Sequence, residues 1–577
     1  MQRGSKKFIV GMVLSMMMVL VAGPLAVYSQ PADADVFGVI KVTDPEGLVS
    51  KIGLLVDNVE PGMGAMVNGM AMGQLQMMLQ NPQWIGVDKV GEFSVVITNP
   101  MMGPSPVALL LPLTSEAEFV DTMKEAMTGG DDVDGVLQFG EEGMQQMFFA
   151  GAGNVGVLAD NAAMVAQIKA LVEAGSPLLE TAPVVNGQIT ASISMSKIMT
   201  AFGPMIEQYS QMAVMGMSQG MAEDEAAAGA AEPMANIVQA EINTLVGLLQ
   251  QIETLQLGIT VNPDDDVRVM KAVKAMPDSE MAKFFAAQAP GKSDMLGFLP
   301  ADAALVGSGS LELTPEFIDG YADFSKAIGA AASPEDAESA EKMAQFTKEM
   351  MLATAGSFAV SAFSSSQEAV VTEMFSLSDP AKVKSLLQQY PEIFQSFLGM
   401  SEDMGLEFDL QISEPEQYKG GEILTIDLGF GAEDIPDPEG QEMFKSLLGD
   451  QLNVPMGFVG NYAVVGVGKD ARSHVEGLLD AVEAGDRGAV ALSPANFGLP
   501  EENNFFLGLS VPKILKWVAA YAPDAPEFDI IDGPGLGMTT RMADSQAVGE
   551  LVVPLAEILA IKDVMMKVQG SSEESME

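Results

Sequence analysis

Apolar and polar positions along this chain change rhythm repeatedly, from short runs rich in Val, Ile and Phe to longer stretches with apolar residues at helical spacing. The strand-like phrase VFGVIKVT from Val36 runs into a helix start at Asp44, and MQQMFFAGAGNVGVLAD reads as strand, turn, strand. There the pair Gly153-Asn154 supplies the positive φ that a two-residue hairpin needs. The segment AAMVAQIKALVEAG that follows has helical periodicity and stops at Gly175, a predicted C-cap. Because many neighbouring strands are joined by tight turns rather than helices, the pattern predicts an α+β fold, with largely antiparallel sheets covered by helices.

The same phrases then recur in the same order. GEFSVVITNP from Gly91 is answered by GSFAVSAFSS from Gly356, and SEAEFVDTMKEAM from Ser115 by SDPAKVKSLLQQY from Ser378. GNVGVLADNAAMVAQIKALVEAG from Gly153 is answered by GNYAVVGVGKDARSHVEGLLDAVEAG from Gly460, and GQITASISMSKIM from Gly187 by NNFFLGLSVPKIL from Asn503. This ordered similarity predicts an internal duplication, with one lobe over residues 36–289, a linker at 290–294 and a second lobe over 295–569. Residues 218–236, small, acidic and Pro-containing, read as a mobile loop between two helices, and residues 570–577 as a disordered tail. The helix after the acidic stretch presents Ile237, Ile242, Leu245, Leu248, Leu249 and Ile252 on a broad apolar face that is expected to bury.

Arg3, Lys6 and Lys7 precede an uncharged apolar run from Phe8 to Val27, the layout of a secretory signal peptide over residues 1–29. Periplasmic or extracellular export is the expectation. An uncleaved N-terminal anchor is the alternative, since the run is long enough to span a bilayer. The absence of Cys removes disulfides and thiolate chemistry. A formal charge of −50 excludes nucleic acid and anionic membrane surfaces as partners, because binding them relies on clustered Lys and Arg. His474, the single histidine, excludes two-histidine metal sites, and no G-x-S-x-G elbow accompanies it.

Few motifs carry chemistry. Ser194-Met195-Ser196-Lys197 and Ser510-Val511-Pro512-Lys513 fit S-x-x-K, which places a nucleophilic Ser and a Lys on one face of a helix's first turn in penicillin-interacting enzymes. Ser194, Lys197, Ser510 and Lys513 are therefore the catalytic candidates of a serine-type hydrolase or acyltransferase. The same residues also read as ordinary helix starts with an N-cap Ser, and the companion K-T-G and S-D-N motifs are absent. Gly151 to Gly156 has G-x-G-x-x-G spacing but leads into a second strand, so a hairpin is expected and no cofactor. Asp131, Asp132 and Asp134, and again Asp264, Asp265 and Asp266, could offer oxygens to calcium, although the EF-hand layout is missing and turns are expected. Met212, Met215, Met217 and Met221, among 43 methionines, could offer thioethers to Cu(I), fill a core, or form an adaptable binding surface.

The succession of strand, T-D-P-E helix start at Thr43 or T-P-E-F at Thr314, G-N hairpin and E-A-G helix stop resembles large exported bacterial proteins of uncharacterised function with a duplicated α+β unit. That resemblance implies a fold and a compartment and carries no catalytic residues. The expected function is that of a non-enzymatic exported protein that binds an apolar ligand or a protein partner, or serves a cell-envelope role.

Overall fold

The computed structural model describes residues 36–100, 106–140, 146–179, 184–222, 231–332, 337–362, 370–402, 410–432, 435, 437–488, 492–520 and 534–574; the expected signal segment 1–29 lies outside them. The chain is α+β, with two compact units, Met1–Thr200 with Glu253–Ala272, and Ala201–Ile252 with Val273–Glu577.

In the first unit β1 (Val36–Thr43) leads into the helices α1 (Pro45–Val59) and α2 (Gly64–Met78). Then come β2 (Glu92–Thr98), β3 (Val107–Pro112), α3 (Glu116–Ala126), β4 (Gly129–Val133), β5 (Val136–Phe139), β6 (Met147–Ala152), β7 (Val155–Ala159), α4 (Ala162–Glu173) and β8 (Ile189–Ser194). Two long helices that go with the second unit from Ala201 on, α5 (Met195–Ala222) and α6 (Ala231–Gln250), separate these in the chain from β9 (Ile252–Asn262) and β10 (Asp266–Ala275). The sheet runs β10-β9-β8-β1-β2-β3-β7-β6-β5-β4, antiparallel at each pair from β9 to β4. One face packs under α4 through Val96, Val157, Met164, Val165 and Ile168. Opposite lies an aromatic core in which Phe119 of α3 meets Phe149, with Phe139 and Trp84 beside them.

The second unit adds α7 (Glu280–Ala287), β11 (Leu305–Ser310), α8 (Pro315–Ala332), α9 (Ala337–Ala353), β12 (Thr354–Ala362), β13 (Val371–Leu377) and α10 (Pro380–Glu402). It continues with β14 (Gln411–Ile412), β15 (Glu416–Tyr418), β16 (Gly421–Gly431), α11 (Pro438–Leu448), β17 (Gln451–Val459), β18 (Tyr462–Val467) and α12 (Ala471–Ala484). It ends with β19 (Phe505–Leu509), α13 (Val511–Ala520), β20 (Leu536–Ala543), β21 (Gln546–Pro554) and α14 (Leu555–Glu574). Its antiparallel order is β21-β20-β19-β11-β12-β13-β18-β17-β16, with β15 and β14 both on β16. Val475, Leu478 and Leu479 of α12 cover one core, and Val383 and Leu387 of α10 another. Among the described helices, none is long and apolar enough to cross a membrane.

Local signals act where the sequence placed them. Gly153 (φ 68°) and Gly460 (φ 55°) occupy the first central position of two-residue hairpins closed by Ala152–Val155 and Val459–Tyr462, as in a type II′ turn. Both E-A-G stops close alike. Gly175 has φ 62° and Ser176 N donates to Leu171 O at 3.0 Å; Gly485 has φ 67° and Asp486 N donates to Ala481 O at 2.9 Å. These are Schellman closures, in which glycine avoids the left-handed penalty.

Longer-range expectations need correction. The units do not divide at 290–294: residues 201–252 and 273–289 go with the second unit, where α6 packs on α8 and α7 on β20 and β21. Segment 290–294 is fastened there, Gly291 bridging Asn503, Lys292 pairing with Glu501, and Asp294 with Arg487 at 3.1 Å. Of the expected loop 218–236, the ends are helical, α5 reaching Ala222 and α6 starting at Ala231, while 223–230 lie outside the described residues. The expected tail begins inside a helix, since α14 continues to Glu574, and 575–577 lie outside the description.

Candidate functional site

The two S-x-x-K segments both sit at strand-to-helix junctions, but their side chains are engaged differently. Ser194 ends β8, is buried, and its Oγ lies 3.2 Å from Ser196 Oγ. Ser510 precedes α13, is fully buried, and its Oγ has no hydrogen-bond partner. It therefore does not cap the helix. That task falls to Glu557 of α14, whose Oε1 accepts from Val511 N at 2.9 Å and whose Oε2 accepts from Gly535 N at 3.0 Å. Burial pushes the Glu557 carboxyl above its ordinary pKa, against the opposing pull of those two N–H donors and of the Lys513 charge. Lys513 Nζ donates to the carbonyl of Asp302 at 3.2 Å. No hydrogen bond in the described structure joins Ser510 to Lys513 as a nucleophile and base would require.

The acidic clusters serve turns. Asp132 Oδ1 accepts from Gly135 N at 2.7 Å across the β4–β5 hairpin, where Asp134 has φ 54°. Buried Asp266 accepts from Arg268 Nε at 2.8 Å and from Asn262 Nδ2 at 2.7 Å, closing the hairpin that carries Asp264 and Asp265. Among the described residues no group of three His, Cys, Asp or Glu could hold a metal ion. His474 is half-buried in α12 and lines a shallow cleft of about 380 Å³ with Phe298 and Pro300.

The methionines divide between core and surface. Met123 and Met374 are fully buried, whereas Met205, Tyr209 and Met212 of α5 are 39%, 65% and 44% exposed. Their spacing of four and three residues puts these three side chains within one helical face. Met215 is also exposed, and the side chains of Met217 and Met221 lie outside the described residues. Across α5 the only charged residues are Lys197 and Glu207, in a chain whose residues are 19% charged. Beside it, Gln250 of α6 donates to Glu207 at 3.4 Å. The face expected to bury on α6 does so only in part: Leu245 and Leu248 are exposed and Ile242 and Leu249 half-buried, while Val246, off that stripe, is buried.

Glu557 gives no signal in the sequence, lying mid-phrase in an apolar segment far from the helix it caps. Comparison with protein-family models, curated proteins and solved structures gave no match.

Proposed function

We propose that this chain is an exported, non-enzymatic binding protein built from two copies of one α+β unit, and that α5 and α6 form its docking surface. The duplication is supported by the strand orders, which run in the same succession in both units, and by the matched hairpins and helix stops. Export is supported by the N-terminal pattern and by the resemblance already described. The exposed face of Met205, Tyr209 and Met212 carries the binding reading. Large apolar side chains at helical spacing, with the flexible thioether of Met and a rigid Tyr, suit an adaptable contact.

The partner class follows from charge. Glu223, Asp224 and Glu225 immediately follow α5, and the whole chain carries −50, so the complementary partner is a cationic amphipathic segment of another protein. Fluorescence anisotropy with a synthetic amphipathic Lys/Leu peptide tests this. Binding should fall about tenfold in Tyr209→Ser/Met212→Ser, consistent with loss of two interface anchors, and should weaken with salt. Unchanged binding by that variant, or equal binding of a Glu/Leu peptide, refutes the docking surface; preferential capture of neutral lipid vesicles would favour an apolar ligand instead.

A further inference from the structure

A cleft of about 860 Å³ in the second unit combines a polar floor with spare positive charge. Its floor is sheet: Thr425 of β16 registers with Pro455 of β17, and Asn453 lies two residues from Pro455 on the same face. One wall is α11, which starts where Asp437 accepts from Gly440 N at 2.9 Å and ends at Gly449 with φ 90°. The other wall is the turn at Gly468 and the first turn of α12. Lys469 N donates to Leu447 O at 3.0 Å and so ties the two walls together.

Lys445, Lys469 and Arg472 line this cleft against one carboxylate, Asp450, in a chain with 79 acidic and 29 basic residues. Arg472 is already paired, with Glu416 at 2.7 Å and Glu476 at 3.0 Å. Lys445 and Lys469 have no ion-pair partner among the described residues, whereas Lys283, Lys326, Lys348 and Lys419 each lie against a carboxylate. The N-terminal end of α12, where Asp470 makes no side-chain cap bond, adds favourable potential for an anion beside Lys469. The volume falls in the range of small-molecule sites, and the lining offers the amides of Gln441, Gln451 and Asn453 and the Thr425 hydroxyl beside a smaller apolar share.

We propose that this cleft binds a small hydroxylated anion of the sugar-carboxylate class. Its charged group meets Lys445 and Lys469, and its hydroxyls meet Thr425, Gln451 and Asn453. Isothermal titration of the full chain with glucuronate, inorganic phosphate and uncharged glucose reads this out. Glucuronate should bind, with glucose at least about tenfold weaker; Lys445→Gln and Lys469→Gln should each weaken glucuronate about three- to fivefold, and the double variant about tenfold. Lys124→Gln, an exposed lysine of α3, should change nothing. Equal affinity for phosphate and glucuronate overturns the hydroxyl part of the assignment. Absence of binding by either anion, or unchanged binding in a double variant with an unaltered circular dichroism spectrum, overturns the site itself.

Discussion

Replacing Glu557 by Ala would remove a fully buried carboxylate that accepts from Val511 N at 2.9 Å and Gly535 N at 3.0 Å. Each buried N–H left without a partner costs about 1–3 kcal/mol, and the one lost methylene adds about 1 kcal/mol. Relief of a desolvated charge offsets part of this, since burial has already raised the Glu557 pKa. The expected net loss is about 3 kcal/mol, within the range for breaking a buried, hydrogen-bonded charge. Glu557→Gln keeps one acceptor but turns an NH2 toward the second donor, so about 2 kcal/mol is expected. Trp517 lies in α13, the helix that Glu557 caps, so urea unfolding followed by its fluorescence in a Trp84→Phe background reports on this region. The pH dependence has a fixed sign. A carboxyl whose folded pKa is raised contributes stability below the ordinary carboxylate range and loses it as pH rises through the folded value. The advantage of wild type over Glu557→Gln should therefore shrink as pH rises above the ordinary carboxylate range. A loss below about 1 kcal/mol for Glu557→Ala, or an advantage that grows with pH, would show that the carboxylate is not the cap described.

Gly175→Val and Gly485→Val force a β-branched residue into φ 62° and 67° and should each cost about 1–2 kcal/mol in thermal unfolding, so that an unshifted midpoint in both contradicts the closures. Phe149→Ala, at a fully buried position packed on Phe119, should cost about 3–5 kcal/mol by denaturant titration, with a loss under about 1 kcal/mol inconsistent with the core. Calcium should not raise the unfolding temperature, because Asp132 and Asp266 are already bonded within their own turns; a calcium-dependent rise abolished by Asp264→Asn/Asp265→Asn would restore the metal reading.

What the sequence made legible was local. Turn glycines need only their own φ to be recognised, whereas the burial of β9 was not readable, since its polar Thr254 and Gln256 are buried and its Leu255 and Leu257 half-buried. The division into units was not legible, because it depends on α6 finding α8 and on α7 finding β20 and β21, choices made by packing between segments distant in sequence. The S-x-x-K spacing does fall at the starts of α5 and α13, but the N-cap Ser expected at Ser510 makes no cap bond, and the cap atom belongs to Glu557, 46 positions beyond the N–H it bonds at Val511. Nothing in the sequence links Lys445 to Lys469, which meet at one cleft where Lys469 N donates to Leu447 O.

Both candidate surfaces lie where the two proposed copies depart from each other. Between β8 and β9 the first copy spans residues 195–251, whereas the corresponding stretch between β19 and β20 is 510–535. The extra length carries α6 and most of α5, and with them the exposed Met and Tyr face. Conversely, β16 and β17 are separated by 432–450, which hold α11 and Lys445, while β5 and β6 are separated only by 140–146. Conserving the shared sheet while lengthening one connection in each copy leaves the cores undisturbed, since surface loops absorb insertions at small entropic cost. Replacing 432–450 with a short turn should therefore abolish glucuronate binding yet preserve the Trp517 unfolding transition, and loss of that transition would mean that α11 supports the sheet rather than decorating it.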